Sequence, residues 1–121
     1  MRESKIERRV CRDAKRLLGV VSEKFKAINN GYPDRIFLIP GGKPLFIEFK
    51  APGEEPDPLQ LYRHEILREL GYQVEVHDDY QTAFQAISKA VEAAQLSEKS
   101  RKVPGGKRSS STVPRSRAGK N

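Results

Sequence analysis

The sequence predicts one α/β (α+β) domain over residues 1–96, with element order α-β-β-β-α-β-α, followed by a basic extension over 97–121. Three observations carry this. Apolar residues recur at helical spacing near both ends of the first 96 residues, short β-branched and aromatic runs alternate with Gly/Pro turns between them, and composition changes abruptly at Ser97.

Ile6, Val10, Ala14, Leu17 and Leu18 mark a first helix over Lys5–Leu18, with Ser4 as cap and Gly19 as left-handed stop. Val20–Ile28 has strand composition, and its charges suit a sheet edge. The turn formers Asn29-Asn30-Gly31-Tyr32-Pro33 lead into a strand over Arg35–Pro40. Gly41-Gly42-Lys43 then turns into a return strand over Pro44–Lys50, apolar on both faces and so expected to be central. Ala51–Pro58 reads as a loop, with Asp57 as N-cap and Pro58 opening a second helix. Leu59, Tyr62, Ile66, Leu67 and Leu70 are its expected inner face, and Gly71 its stop. Tyr72–His77 alternates as a fourth strand, and Asp79 caps a third helix carrying Phe84, Ile87, Val91 and Ala94.

Composition narrows the function classes. The 121 residues carry 23 Lys+Arg against 16 Asp+Glu, a net +7. No apolar run is long enough to span a bilayer and the N-terminus does not read as a secretion signal, so a cytoplasmic protein without a membrane is expected. Cys11, the one cysteine, reads as a small buried hydrophobe. Residues 97–121 hold eight cations and one acid among serines, glycines and prolines, so they read as a disordered basic tail; residues 1–96 sum to zero. Within them, residues 1–26 carry a local +5, and the acids gather around Asp34, Glu48 and 54–57. Cations suit phosphates and clustered carboxylates suit divalent metals.

Glu48 and Lys50, two apart on the central strand, leave the same face, and burying both charges demands compensation. A divalent cation shared with Asp34 would supply it for the carboxylates, and a phosphate for the lysine. Hairpin register decides whether Asp34 can join them. A two-residue turn at Gly41–Gly42 sets Asp34 opposite Phe49 on the wrong face, whereas a three-residue turn sets it opposite Lys50 on the face of Glu48. The alternative is an Asp34–Lys50 cross-strand ion pair with Glu48 toward solvent. Glu7 adjoins the apolar stripe of helix 1 and is either turned toward the sheet or an ordinary first-turn acid. Gln60 lies in the first turn of helix 2 as a site residue or an exposed glutamine. His64 and His77 have no nucleophile in a recognisable arrangement and read as surface residues. Gly41-Gly42-Lys43 lacks the context of a phosphate loop.

Gly31-Tyr32-Pro33-Asp34-Arg35, Phe46-Ile47-Glu48-Phe49-Lys50-Ala51-Pro52-Gly53, Pro58-Leu59-Gln60 and Gly71 together resemble the VRR-NUC family of the PD-(D/E)xK nuclease superfamily, over about residues 3–80. The resemblance implies a restriction-endonuclease-like core and an enzyme hydrolysing DNA phosphodiesters with Mg2+ or Mn2+. Asp34 and Glu48 would be metal ligands together with the Phe49 carbonyl, Lys50 would contact or activate water, and Gln60 would support the site. The helix-1 acid of the family maps to Glu7, with Glu3 competing. Small stand-alone members resemble Holliday-junction resolvases, act as dimers on branched DNA and suggest a phage or bacterial origin. Lys5, Arg8, Arg9, Arg12, Arg35 and Lys43, with the tail, would grip the DNA backbone, while Tyr62, Tyr72 and Tyr80 are candidates for the dimer surface. The alternatives are a flap, end or site-directed nuclease, and a non-catalytic nucleic-acid-binding module.

Overall fold

The computed structural model describes residues 2–101, and α1 (Glu3–Leu18), β1 (Val21–Lys24), β2 (Arg35–Leu38), β3 (Leu45–Phe49), α2 (Pro58–Glu69), β4 (Gln73–His77) and α3 (Tyr80–Arg101) follow in the expected order. One sheet runs β1-β2-β3-β4, antiparallel in its first two pairings and parallel between β3 and β4. All five residues of β3 are buried, and β1 is an edge, both as expected.

Alternation along β3 divides the structure into two layers. Leu45, Ile47 and Phe49 join Phe37 and the inner residues of α1 and α3, including Ile6, Val10, Ala14, Ala83 and Ile87, in the main core. Phe46 faces the other way, with Leu67 of α2 and Val74, rimmed by Phe25, Tyr32 and Ile36. Glu48 therefore lies on the α2 side. The Tyr80 hydroxyl ties α3 to α1 by donating to buried Asp13 at 2.7 Å, with Arg9 3.9 Å above the Tyr80 ring.

Several boundaries differ from expectation. Arg2, not Ser4, is the N-cap of α1 and gives no side-chain bond, while Gly19 does adopt the left-handed stop at φ 70°. The β1 strand ends at Lys24, well before Ile28, and α3 continues through Arg101, beyond the boundary expected at 96. The remainder of the expected basic tail, from 102 onward, lies outside the described residues. Cys11 is half-buried against the main core, which pushes its thiol pKa up.

The β2–β3 connection is longer than either turn considered above. Gly42 N–H donates to Ile39 O at 3.0 Å with Gly41 at φ 75°, a turn that places Pro40 and Gly41 where a type II geometry wants them. The ladder then pairs Arg35 with Ile47 and Phe37 with Leu45. Extended by one residue, it sets Asp34 opposite Glu48 rather than Phe49 or Lys50.

The loop carrying Asp34 is clamped beneath α2. Arg63 Nε donates to Asn30 O at 3.0 Å, and a Cβ on Gly31, at φ 94°, would lie 2.8 Å from Leu59 Cγ and 3.1 Å from the Leu59 carbonyl oxygen. Only glycine allows this approach. Gly31→Ala should therefore lower stability by about 2 kcal/mol, through backbone strain plus steric conflict, as read by urea unfolding.

Candidate active site

The site is built at the end of β3 nearest the start of β2. Pro33 has no N–H with which to prolong the strand, and the Asp34 side chain takes over the edge of β3: Phe49 N–H donates to Asp34 Oδ2 at 2.8 Å. On the other side Phe25 N–H donates to the Asp34 carbonyl at 2.9 Å. Asp34 is thus fixed through main chain and side chain together, facing a Glu48 that is only 3% exposed.

Two acids drawn into this poorly solvated corner repel each other. Burial is the main reason the Asp34 carboxyl is pushed up to about 6; the Phe49 N–H bond works against the shift, and the charges of Glu48, Glu7 and Glu3 add to it. The alternative of a cross-strand pair between Asp34 and Lys50 does not form. Lys50 lies instead with its Nζ 3.7 Å from Glu48 Oε2 on the shared face.

Helix α2 supports Glu48 from above. Asp57 and Gln60 close a reciprocal capping box, with Gln60 N–H donating to Asp57 Oδ1 and Asp57 N–H to Gln60 Oε1, both at 2.9 Å. The same amide group then donates through Nε2 to Glu48 Oε2 at 3.1 Å. A glutamine fits where glutamate would not, because one end must accept and the other donate.

The expected inner face of α2 needs correction. Leu59, Tyr62 and Leu70 are exposed, and Gln60, His64 and Leu67 face the sheet. The reason is chemical: the sheet offers Glu48 at one end and Phe46 at the other, so the helix turns its polar positions toward the carboxylate. His64, expected on the surface, is fully buried, with Nε2 3.7 Å from Glu48 Oε1. Spacing gave a usable signal here, since His64 is four residues after Gln60 and shares its face. His77 is half-buried, with its ring nitrogens 2.9 Å from Thr82 Oγ1 and 2.7 Å from Glu75 Oε1.

The remaining residues singled out from sequence separate. Glu7 is buried on α1 and held by Arg35 Nε at 2.7 Å and Lys24 Nζ at 3.1 Å; it adds to the negative field at Asp34 rather than joining the carboxylate pair. Arg35 is therefore committed to Glu7. Lys5, Arg8, Arg9 and Arg12 line a surface pocket of about 300 Å3 on α1, a compact cationic patch. Lys43 lies at the far end of β3 from the site, donating to the Gly71 carbonyl at 3.2 Å.

The donor set suits a hard divalent cation. Glu48 Oε1 is buried without a hydrogen-bond partner, and Asp34, whose carboxyl burial pushes up, lies across the ladder from it. Among the described residues no group of three or more Asp, Glu, His or Cys side chains converges on one point. Main-chain oxygen, such as the Phe49 carbonyl, and water would have to complete the shell, as Mg2+ commonly requires.

The Asp34 shift has a definite sign for stability. The folded carboxyl holds its proton up to about pH 6 against an ordinary value of 3.8, so its favourable contribution is complete below about pH 4 and is lost as pH rises through 6. Without divalent cations, Asp34→Asn should raise stability at pH 7.5 by about 1 kcal/mol after allowance for solvent screening, and leave it unchanged at pH 3.5. Thermal melts at the two pH values check both halves.

No family model matches the chain. A curated protein named "Putative nuclease p44", from Acyrthosiphon pisum secondary endosymbiont phage 1, is 40% identical over 78 residues, covering 64% of this chain and 84% of that protein. A solved structure titled "VRR_NUC domain" superposes with TM-score 0.62 at 27% identity, covering 71% of this chain and 94% of its own. A second, titled "VRR_NUC domain protein", gives TM-score 0.65 at 23% identity, covering 76% and 89%, and speaks for the fold alone. The chain belongs to the VRR-NUC family of nuclease domains.

Proposed function

We propose that this nuclease is a Mg2+- or Mn2+-dependent endonuclease that hydrolyses phosphodiester bonds in DNA, with branched DNA as preferred substrate and a homodimer as working form. The observation that carries the reading is the opposition of Asp34 and buried Glu48, with Lys50 on the face of Glu48. When bound, the cation supplies Lewis-acid stabilisation of the charge developing on phosphorus and a water acidic enough to attack at neutral pH. Asp34, Glu48 and the Phe49 carbonyl would hold it.

The chain's own groups account for the rest. Gln60 holds the Glu48 carboxylate plane from the helix side. Lys50, whose side chain is 15% exposed, presents an ammonium where a water or a phosphate oxygen enters. The α1 cations and the basic residues after Arg101 attract the DNA backbone without reading its sequence. The site supplies one set of catalytic groups per chain, so paired incisions across a junction call for two copies; exposed Tyr62 and Leu59 on α2 offer apolar surface for pairing.

Labelled four-way, flap and linear DNA incubated with Mg2+ or Mn2+ should show cleavage favouring the four-way substrate and blocked by a chelator. Asp34→Asn and Glu48→Gln should each lower cleavage by about 1,000-fold or more, and Lys50→Ala by about 100-fold, while DNA binding by Asp34→Asn stays near normal or tightens. Full activity of Asp34→Asn overturns the reading, and equal cutting of all substrates overturns the branched preference.

A chain ending at Arg101 lacks six cations, Lys102, Lys107, Arg108, Arg115, Arg117 and Lys120. Its DNA affinity should fall, and the slope of log affinity against log salt should flatten by up to about 5. An unchanged slope in a titration from low to moderate salt assigns those residues to another partner.

A further inference from the structure

His64 is a polar residue that nothing described so far uses. It is completely buried, and both ring nitrogens lack hydrogen-bond partners, as does the nearest polar atom across from it, Glu48 Oε1. Nε2 and Oε1 are 3.7 Å apart, close enough to face each other and too far for a hydrogen bond. Three orphaned polar atoms in one corner are costly when a leucine would fill the volume without loss. The position is also not accidental in the helix. Gln60 and His64 are one turn apart on α2, and Gln60 Nε2 already donates to the other oxygen of the same carboxylate at 3.1 Å.

The geometry points to His64 as a positioning residue for Glu48: its Nε2–H closes onto Oε1 as Gln60 holds Oε2, so that α2 fixes both oxygens of the carboxylate that would bind the cation. Each oxygen has two lone pairs, and one donor apiece leaves both able to face a metal. Outer partners of this kind set the orientation of a ligand, and their loss lowers metal affinity by about 10- to 100-fold. This inference rests on the metal-dependent reading above.

The test measures Mn2+ binding to the full chain by calorimetry, beside melting temperature, for wild type, His64→Leu, His64→Gln and Glu48→Gln. His64→Leu should keep or raise the melting temperature, because it replaces two unpartnered nitrogens with apolar surface, yet weaken Mn2+ binding about 10- to 100-fold. His64→Gln, which keeps an N–H donor, should restore most of that affinity. If Glu48→Gln loses Mn2+ and His64→Leu binds it like the wild type, the positioning role is overturned and the metal site stands. If Glu48→Gln binds Mn2+ like the wild type, the metal reading fails and this role with it. Should His64→Leu not fold, long-range 1H–15N spectra of the unaltered chain decide: a hydrogen on His64 Nε2 that shifts on adding Mg2+ supports the assignment, and a hydrogen held on Nδ1 alone overturns it.

Discussion

Two carboxylates opposed across neighbouring antiparallel strands at a poorly solvated sheet end are the constraint from which the surrounding structure follows. Glu48 points to the α2 side because β3 alternates, and Asp34 faces it because the β2–β3 ladder has an even register. Left alone, such a pair would drive the two segments apart or remain protonated; burial, with the charge of Glu48 adding to it, pushes the Asp34 carboxyl up to about 6. The fold therefore holds the pair by main-chain bonds. Phe49 N–H and Phe25 N–H engage Asp34 from either side, and the pressure of α2 on Gly31 prevents the loop from retreating.

Holding acids together has consequences for the elements above them. The inner surface of α2 carries Gln60 and His64 where a helix on an ordinary sheet would carry leucine, and Leu59, Tyr62 and Leu70 are displaced outward. Hydrophobic burial is surrendered at one end of the helix and recovered at the other, where Leu67 packs with Phe46 and Val74. Gln60 links the two functions of the helix end, since the amide that completes the capping box also steadies Glu48.

These features explain what could be read from the residues alone. The element order, the buried central strand and the cap at Asp57 were legible because turn formers and periodicity act locally, whereas the grouping of Asp34, Glu48, Lys50 and Gln60 came from the family resemblance, since spacing alone left it open. The connection between β2 and β3 was not, because Pro40-Gly41-Gly42 permits several turns and only tertiary pairing selects one. The face of α2 was misread for a different reason. Apolar periodicity finds the buried side of a helix only when what it covers is apolar, and here the helix covers a carboxylate. Local consistency thus breaks at the corner proposed to hold the cation.

Charge accounting supports the proposed use of that place on a phosphodiester. Glu7 is balanced by Arg35 and Lys24, and Glu48 by Lys50, each within 3.7 Å; among the described residues Asp34 forms no ion pair. Counted together, these three acids and three cations sum to zero, so the site is neutral overall while carrying one uncompensated anionic corner. A divalent cation entering that corner would leave the cluster net positive, with a lysine ammonium at its rim. A phosphodiester carries one negative charge and gains another on the way to its transition state, so such a site would favour the reacting state over the resting one.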